Sequence, residues 1–203
     1  MKTLKIRITF TEGLLGTAPA DKEIYETYIG DKAPDAPTLE EEVAAVGVGD
    51  VVEKGMTIFR KTEDGVPFIY DYQVKGFFKG ACGMLSRVKT SESAKLKAYK
   101  KIIDGLVFVS PRQILLGLPD RRAGIGLCQR PLRAQTAQGE RVALAISEEA
   151  PAGTEIVAEI LCLVDEHKKV VEEWLEYGQL HGLGQWRNSG RGRFGWEKLE
   201  DWN

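Results

Sequence analysis

Apolar and polar residues alternate in two stretches of this chain, one near each end. Every second residue is apolar over residues 4–10, and the same alternation returns over residues 155–164. A period of two is typical of a β-strand with one buried face and one wet face. We therefore predict strands over both stretches and, from the last apolar run, a closing strand over residues 193–199.

Between these strands, apolar residues recur at the spacing of an α-helix. Five apolar residues share one helical stripe: Phe77, Phe78, Ala81, Met84 and Leu85. The stripe predicts a helix over residues 74–85 that packs against the core. Gly80 and Gly83 lie in the same helix, where they fit either close helix packing or the approach of a ligand. Two more helices are predicted, over residues 95–103 and after Asp165, which can cap the second one.

Shorter alternating runs fill the rest of the chain. An Asp-Gly turn at residues 64–65 predicts a hairpin between residues 56–61 and 68–74. Further strands are predicted over residues 105–109, 114–118, 127–136 and 141–147, and a turn over residues 149–154. This order of elements predicts an α+β fold with an antiparallel sheet. It is compatible with a ferredoxin-like (RRM-like) β-α-β-β-α-β unit that has its helices on one face and carries insertions.

The composition indicates a single domain. At 203 residues and 43% apolar content the chain can build one core. Residues 20–55 are acid-rich and interrupted by Pro34 and Pro37, so we expect a helical or irregular insertion there, outside the core. The formal net charge of −2 excludes a generally basic protein, so any face that binds nucleic acid must be local.

The cysteines and the apolar runs indicate the compartment. Cys82, Cys128 and Cys162 are far apart and odd in number, which fits neither a disulfide framework nor a zinc site. No apolar run approaches the roughly 20 residues that cross a bilayer, and the first strand starts too early for a signal peptide. We therefore expect a cytoplasmic protein without a membrane partner, a metal or another cofactor.

One stretch near the end of the chain has an unusual composition. Residues 181–195 contain five glycines and three arginines, between a predicted helix and the last strand. Successive N–H groups in such a loop can bind an anion, and a guanidinium suits phosphate. The spacing matches neither a P-loop nor a dinucleotide-binding fingerprint. A flexible, solvated connection fits the composition equally well.

Four segments, taken in order, resemble the RAMP superfamily, the RRM-like proteins that form CRISPR effector backbones and process CRISPR RNA. The first strand runs into Leu14-Leu15-Gly16-Thr17, similar to the family's opening strand and leucine-glycine turn. Residues 74–81 resemble its glycine-x-x-lysine-glycine helix start, residues 149–154 its turn before a strand, and residues 182–194 its C-terminal glycine-rich loop. The resemblance implies a ferredoxin-like fold and a role in antiviral defence.

The resemblance also implies a ligand and partners. In such proteins the glycine-rich loop and the adjoining sheet hold single-stranded RNA. The implied ligand here is therefore a single-stranded guide RNA. The implied protein partners are other subunits of a ribonucleoprotein or further copies of the chain. The implied RNA-binding residues are Lys75, Lys79, Gly182, Gly184, Arg187, Asn188, Ser189, Gly190, Arg191 and Gly192. RNA binding needs cations, close backbone approach and planar groups for bases, in agreement with these residue types.

Further residues of the same types are added from the sequence itself. The added candidates are Arg121, Arg122, Arg130, Arg133, Trp186 and Arg193. For each added arginine a solvated surface position is the alternative. For Trp186 the alternative to stacking on a base is a place in the core.

Two other functions fit the same residues. An RNA endonuclease needs an acid or base, and only His167 and His181 are available. We expect His167 to be an exposed polar residue at a helix start, which leaves His181, beside the loop, as the one weak catalytic candidate. The other alternative is a phage or mobile-element scaffold or inhibitor that acts through protein contacts. The preferred hypothesis is a non-catalytic RNA-binding protein.

Overall fold

The computed structural model describes residues 2–20, 56–120, 124–136 and 139–203. The predicted insertion at residues 20–55 therefore lies almost wholly outside the described residues, as do Arg121 and Arg122. The strands are β1 (Lys2–Phe10), β2 (Leu14–Leu15), β3 (Ala18–Pro19), β4 (Thr57–Ile58), β5 (Arg60–Lys61), β6 (Pro67–Tyr70), β7 (Val107–Ser110), β8 (Gln113–Leu115), β9 (Gly126–Thr136), β10 (Gly139–Ala150), β11 (Glu155–Cys162) and β12 (Phe194–Glu200). The α-helices are α1 (Asp71–Leu85), α2 (Tyr99–Leu106) and α3 (His167–His181), and short 3₁₀ turns cover Ser93–Lys95 and Arg187–Ser189.

The central sheet is formed by both ends of the chain. Its four strands lie in the order β12-β1-β11-β7, and each neighbouring pair is antiparallel. The register places Ile6 opposite Ala158 and Ile8 opposite Ile156. All four side chains are buried, because in both strands the apolar residues of the alternating pattern point to the same face. The predicted strands over residues 4–10, 155–164 and 193–199 are confirmed, with ends shifted by one or two residues.

Helices α1 and α3 cover the apolar face of this sheet. Phe78 packs on Trp174 with ring centroids 5.3 Å apart, and Phe194 of the last strand meets Phe77 at 5.6 Å. The predicted stripe of α1 is therefore confirmed, and burying each such side chain contributes about 1.5–3 kcal/mol. Met84 is an exception, since it is 46% exposed. It lies in the last turn, at the edge of the stripe.

The other strands form two further sheets, one of five strands and one of three. The long strand β10 pairs with β9, with β2 and, in parallel, with β4, which itself pairs with β3. Strand β6 pairs with β5 and β8. The predicted hairpin is confirmed at its turn, where Gly65 N donates to the Thr62 carbonyl oxygen at 2.9 Å, and in the pairing of β5 with β6. Residues 57–58, predicted in the same hairpin, pair instead with β3 and β10. In the described part of the chain, no helix is long and apolar enough to cross a membrane.

Several predicted boundaries are wrong. Residues 71–74 are helical, because the Gln73 side chain accepts a hydrogen bond from Tyr70 N (2.8 Å) and so satisfies the start of α1. The strand predicted from residue 105 begins at Val107, because α2 continues to Leu106. The helix predicted from residue 95 is a 3₁₀ turn followed by α2, and β8 ends before the predicted residue 118. Residues 149–150 belong to β10 rather than to the following turn.

The start of α3 also differs from the prediction. Asp165 does not cap it: its carboxylate pairs with Lys168 at 3.4 Å, and the N-cap residue is Glu166. His167, expected at the surface, is only 7% exposed and lies among the buried residues of α3. Its position in the first turn gave no sign of burial, because the face of a helix that packs inward is set by its neighbours.

Candidate functional site

The glycine-rich loop begins where α3 ends and is closed by backbone contacts. Leu183 N donates to the Gly192 carbonyl oxygen at 2.8 Å, and Gly192 N donates to that of Gly13 at 3.0 Å. Gly182 has a φ of +81°, and a Cβ there would lie 2.5 Å from the Arg191 carbonyl oxygen. Gly192 has a φ of +71°, and a Cβ there would collide with the carbonyl group of Leu183. These two positions therefore require glycine, and the loop is packed rather than solvated.

The tip of the loop is a 3₁₀ turn that presents an arginine. Trp186 has a φ of +54° and precedes the turn, which Gly190 closes by donating from its N–H to the Arg187 carbonyl oxygen at 2.9 Å. Asn188 and Ser189 are exposed at the tip. The turn directs the Arg187 side chain towards α1 rather than towards solvent alone.

Arg187 lies in a groove between the loop and α1, which we call the loop groove. It has a volume of about 260 Å³. Its lining residues are Thr17, Gln73, Gly76, Phe77, Gly184 and Arg187. The Arg187 Nη1 atom is 3.6 Å from where a Cβ on Gly80 would lie, so the glycines of α1 leave room for the guanidinium. Among the described residues no carboxylate forms an ion pair with Arg187.

His181 lies next to this cation at the end of α3. Its ring stacks on Tyr177 with centroids 5.0 Å apart. Burial lowers the pKa of His181 below its usual value, and the positive charge of Arg187 lowers it further. No group of three His, Cys, Asp or Glu residues that could hold a metal ion is found in the described ranges.

The two lysines of α1 lie on the neighbouring strip of the same helix. Lys79 forms an ion pair with Asp104 at 2.6 Å, and this hydrogen bond lowers the pKa of the Asp104 carboxyl group. Lys75 donates to the Asp104 carbonyl oxygen at 3.1 Å and lies over the Phe108 ring at 4.9 Å. Burial lowers the pKa of Lys75. Both ammonium groups are thus held towards α2, and neither lysine lines the loop groove.

Arg130 and Trp186 hold the loop against the second sheet. Arg130 is 6% exposed, and it donates to Ser147 Oγ at 3.0 Å and to Gln185 Oε1 at 3.2 Å. Its guanidinium lies over the Trp186 ring at 5.1 Å. Gln185 Nε2 donates in turn to Thr57 Oγ1 at 2.8 Å and to the Gly16 carbonyl oxygen. This network places the loop relative to the β9–β10 hairpin.

Arg191 and Arg193, the two loop arginines that follow Arg187, do not line the loop groove. Arg191 forms an ion pair with Glu149, while Arg193 is exposed and its carbonyl oxygen accepts from Thr11 N at 2.9 Å. Arg133 lies on β9 opposite Val142. The pairing of Arg191 could not be read from the sequence, because its partner is 42 residues away.

Sequence reasoning missed four of the residues that line the groove: Thr17, Gln73, Gly76 and Phe77. The Gln73 Nε2 atom donates to Thr17 Oγ1, and this hydrogen bond connects α1 to the segment that follows β2. A signal was present, since a glutamine three residues after a helix N-cap is typical of a capping box. The assignment of residues 68–74 to a strand concealed it.

The face of the central sheet that points away from the helices is acidic. Arg7 pairs with Glu197 at 2.7 Å and with Glu155 at 3.5 Å, and Lys5 pairs with Glu200 at 2.9 Å. Glu159 lies opposite Lys5 on the same face. With carboxylates in excess and both cations paired, this face repels a polyanion.

Comparisons with known proteins agree with the fold. No protein-family model and no curated protein match the sequence. A chain in the cryo-EM structure of the Type III-B Cmr-beta bound to cognate target RNA matches with a TM-score of 0.55 and 11% sequence identity. The match covers 98% of the present chain, which spans 60% of that neighbour. At this sequence identity the match shows a similar fold.

Proposed function

We propose that this protein is a non-catalytic RNA-binding protein of RAMP type, which holds single-stranded guide RNA in the loop groove. The observation that carries the proposal is Arg187, a cation in a groove with no carboxylate partner among the residues described. A partly buried, uncompensated guanidinium favours an anionic ligand, and its forked donors suit the oxygens of a phosphate.

The surroundings of Arg187 suit a sugar-phosphate backbone. Gly76 and Gly184 line the groove, so a ligand can approach both α1 and the loop closely. Thr17 accepts a hydrogen bond from Gln73, which leaves its hydroxyl proton for a ligand. Lys75 and Lys79 project from an adjacent strip of α1 and add positive charge to this side of the molecule.

The groove is a better place for RNA than the open face of the sheet. On that face Lys5 and Arg7 are both paired and carboxylates outnumber the two cations. A phosphate there would have to displace Glu197 or Glu200 from its partner. We therefore place the strand along α1 and the loop, and assign Arg130 to holding the loop rather than to the RNA.

We also propose that the chain has a ferredoxin-like fold. The sheet order β12-β1-β11-β7, with α1 between β1 and β7 and α3 between β11 and β12, supports a ferredoxin-like β-α-β-β-α-β unit. We take the whole chain as one such domain, with residues 20–55 as its insertion. Because the similar Cmr-beta chain comes from a structure bound to target RNA, we also propose that this protein works as a subunit of a ribonucleoprotein.

The test is direct binding of RNA by the purified chain. A fluorescein-labelled uridine 20-mer reports binding by anisotropy, and a duplex of the same length is the comparison ligand. We expect the single strand to bind, and Arg187→Ala to weaken it about tenfold, as for a lost hydrogen bond between charged groups. Lys169→Ala is the charge-matched control, since Lys169 is exposed at the other end of α3.

The other outcomes separate the alternatives. Equal affinity of Arg187→Ala and the wild type would remove the loop groove from the function. A single sharp cleavage product that is lost in His181→Ala would instead indicate an endonuclease. A tight complex with another protein that survives nuclease, together with no binding of the 20-mer, would indicate the scaffold or inhibitor.

A further inference from the structure

Three aromatic rings form a row beside the loop groove. Phe68 meets Tyr70 edge-to-face at 5.0 Å, and Tyr70 stacks on Tyr72 at 5.1 Å with an interplanar angle of 17°. The Arg112 guanidinium lies 5.4 Å from the Tyr70 centroid and 5.3 Å from that of Tyr72, and its 2.6 Å ion pair with Asp71 holds it there. Tyr72 is nevertheless 50% exposed, so a large aromatic side chain is presented in a fixed orientation.

The aromatic row forms one wall of a pocket of about 400 Å³, which we call the tyrosine pocket. The opposite walls come from Thr17 to Pro19 and from Ile58 to Arg60. Thr17 and Gln73 line both this pocket and the loop groove, so the two are adjacent. The volume lies in the range of pockets that bind small molecules.

We propose that the tyrosine pocket takes one unstacked nucleobase of the RNA strand that the loop groove holds. The inference rests on the proposed function. Every base has a π-face, so a fixed tyrosine stack with a guanidinium beside it binds a base without needing a particular sequence. The Thr17 hydroxyl, at the boundary of groove and pocket, can donate a hydrogen bond to an acceptor on the base edge.

The spacing along α1 allows one strand to reach both sites. Tyr72 lies eight residues before Gly80, the residue that faces Arg187, which is about 12 Å along the helix. A stacked strand at about 3.4 Å per nucleotide covers this distance with roughly three to four nucleotides, and an extended strand with fewer. One strand can therefore place a phosphate at Arg187 and, up to about three or four nucleotides away, a base at Tyr72.

The test combines a substitution with abasic nucleotides. Uridine 12-mers, each with one abasic position, are bound to the full chain and to Tyr72→Ala, Tyr72→Phe and Leu163→Ala. Leu163 is the control, because it is an apolar residue of comparable exposure that directly follows the last residue of β11 and lines neither the tyrosine pocket nor the loop groove. We expect Tyr72→Ala to weaken binding of the intact 12-mer roughly five- to 100-fold, whereas Tyr72→Phe and Leu163→Ala retain the wild-type affinity.

The position of the abasic site gives the decisive readout. In the wild type, one of the abasic positions should weaken binding as much as the Tyr72→Ala substitution weakens binding of the intact 12-mer. In the Tyr72→Ala variant, the same abasic position should not weaken binding further. Wild-type affinity in Tyr72→Ala with a loss in Arg187→Ala would overturn the tyrosine pocket and leave the proposed function standing. An abasic profile that is the same in the wild type and Tyr72→Ala would also overturn it. No binding of the intact 12-mer by the wild type would refute the proposed function itself.

Discussion

Three arginines near the glycine-rich loop have three different environments. Arg130 is buried and hydrogen-bonded, Arg191 is paired with Glu149, and Arg187 faces the groove with no ion pair in the described ranges. A paired guanidinium must lose its partner before it binds a phosphate, whereas Arg187 has no such loss to offset. At the scale of single residues, Arg187 is therefore expected to contribute most to binding.

The first prediction follows from the charge of Arg187 beside His181. Burial and Arg187 both lower the pKa of His181, so Arg187→Ala should raise it towards 6.5. RNA in the loop groove should raise it too, because a phosphate offsets the charge of Arg187. The measurement is a titration of the imidazole by NMR, with the resonance assigned from His181→Asn.

The lowered pKa of His181 also makes the stability of the fold depend on pH. Because the folded-state pKa of His181 is lowered, the unfolded chain binds more protons between that pKa and 6.5. The contribution of His181 to stability is thus complete above pH 6.5 and is lost as the pH falls through the folded-state pKa. An unchanged pKa in Arg187→Ala would show that the two side chains are not electrostatically coupled.

At the scale of elements, α1 has two faces with different tasks. Its apolar stripe packs on α3 and the sheet, while Gly76 and Gly80 face the loop groove. Glycine inside a helix costs about 1 kcal/mol relative to alanine, so an open glycine at Gly76 needs a reason other than packing. Since a Cβ on Gly76 would meet nothing within 4 Å, that reason is the space it leaves in the groove.

Alanine at this position should therefore change stability and binding in opposite directions. Gly76→Ala is expected to raise stability by about 1 kcal/mol, or Tm by roughly 2–4 °C, and to weaken RNA binding. Gly105→Ala in α2 is the matched control, because a Cβ there also meets nothing within 4 Å and Gly105 lies outside the groove. Thermal melts and anisotropy measure the two effects. Equal RNA affinity of both variants would place the RNA away from α1.

At the scale of the whole molecule, the charge is nearly balanced but unevenly placed. The 28 lysines and arginines face 30 aspartates and glutamates, so long-range attraction to RNA is weak and binding depends on local cations. In the described chain the open face of the sheet concentrates carboxylates, while Arg187, Lys75 and Lys79 lie around α1. A strand is thereby directed to one side of the molecule.

The salt dependence of the RNA affinity reports how many of these cations contact phosphates. Three phosphate contacts to a single strand give a log–log slope of roughly −2, and Arg187→Ala should reduce its magnitude by about 0.7. The measurement is the affinity for the uridine 20-mer at several salt concentrations. A slope of roughly −4 would mean that Arg191, Arg193 or cations outside the described residues also reach the RNA, and a slope near zero would exclude phosphate contacts.

Much of the fold could be predicted because its signals are local. The alternation in β1 and β11 and the stripe of α1 lie within single elements, and tertiary contacts reinforced rather than reversed them. The predictions that were wrong depended on partners elsewhere. Residues 71–74 became helical through the Gln73 cap, and His167 was buried by the packing of α3.

The sequence by itself determined which groups are available for binding: the glycines of the loop, the arginines around them and the lysines of α1. Only the tertiary structure decided which of them meet. Arg187 faces α1, which lies about one hundred residues earlier in the sequence. Arg191 is neutralised by Glu149, and Tyr72 stacks on Tyr70 beside Arg112. The physical reason is that charge compensation and stacking depend on distances in space, whereas a sequence pattern reports only on neighbours along one element.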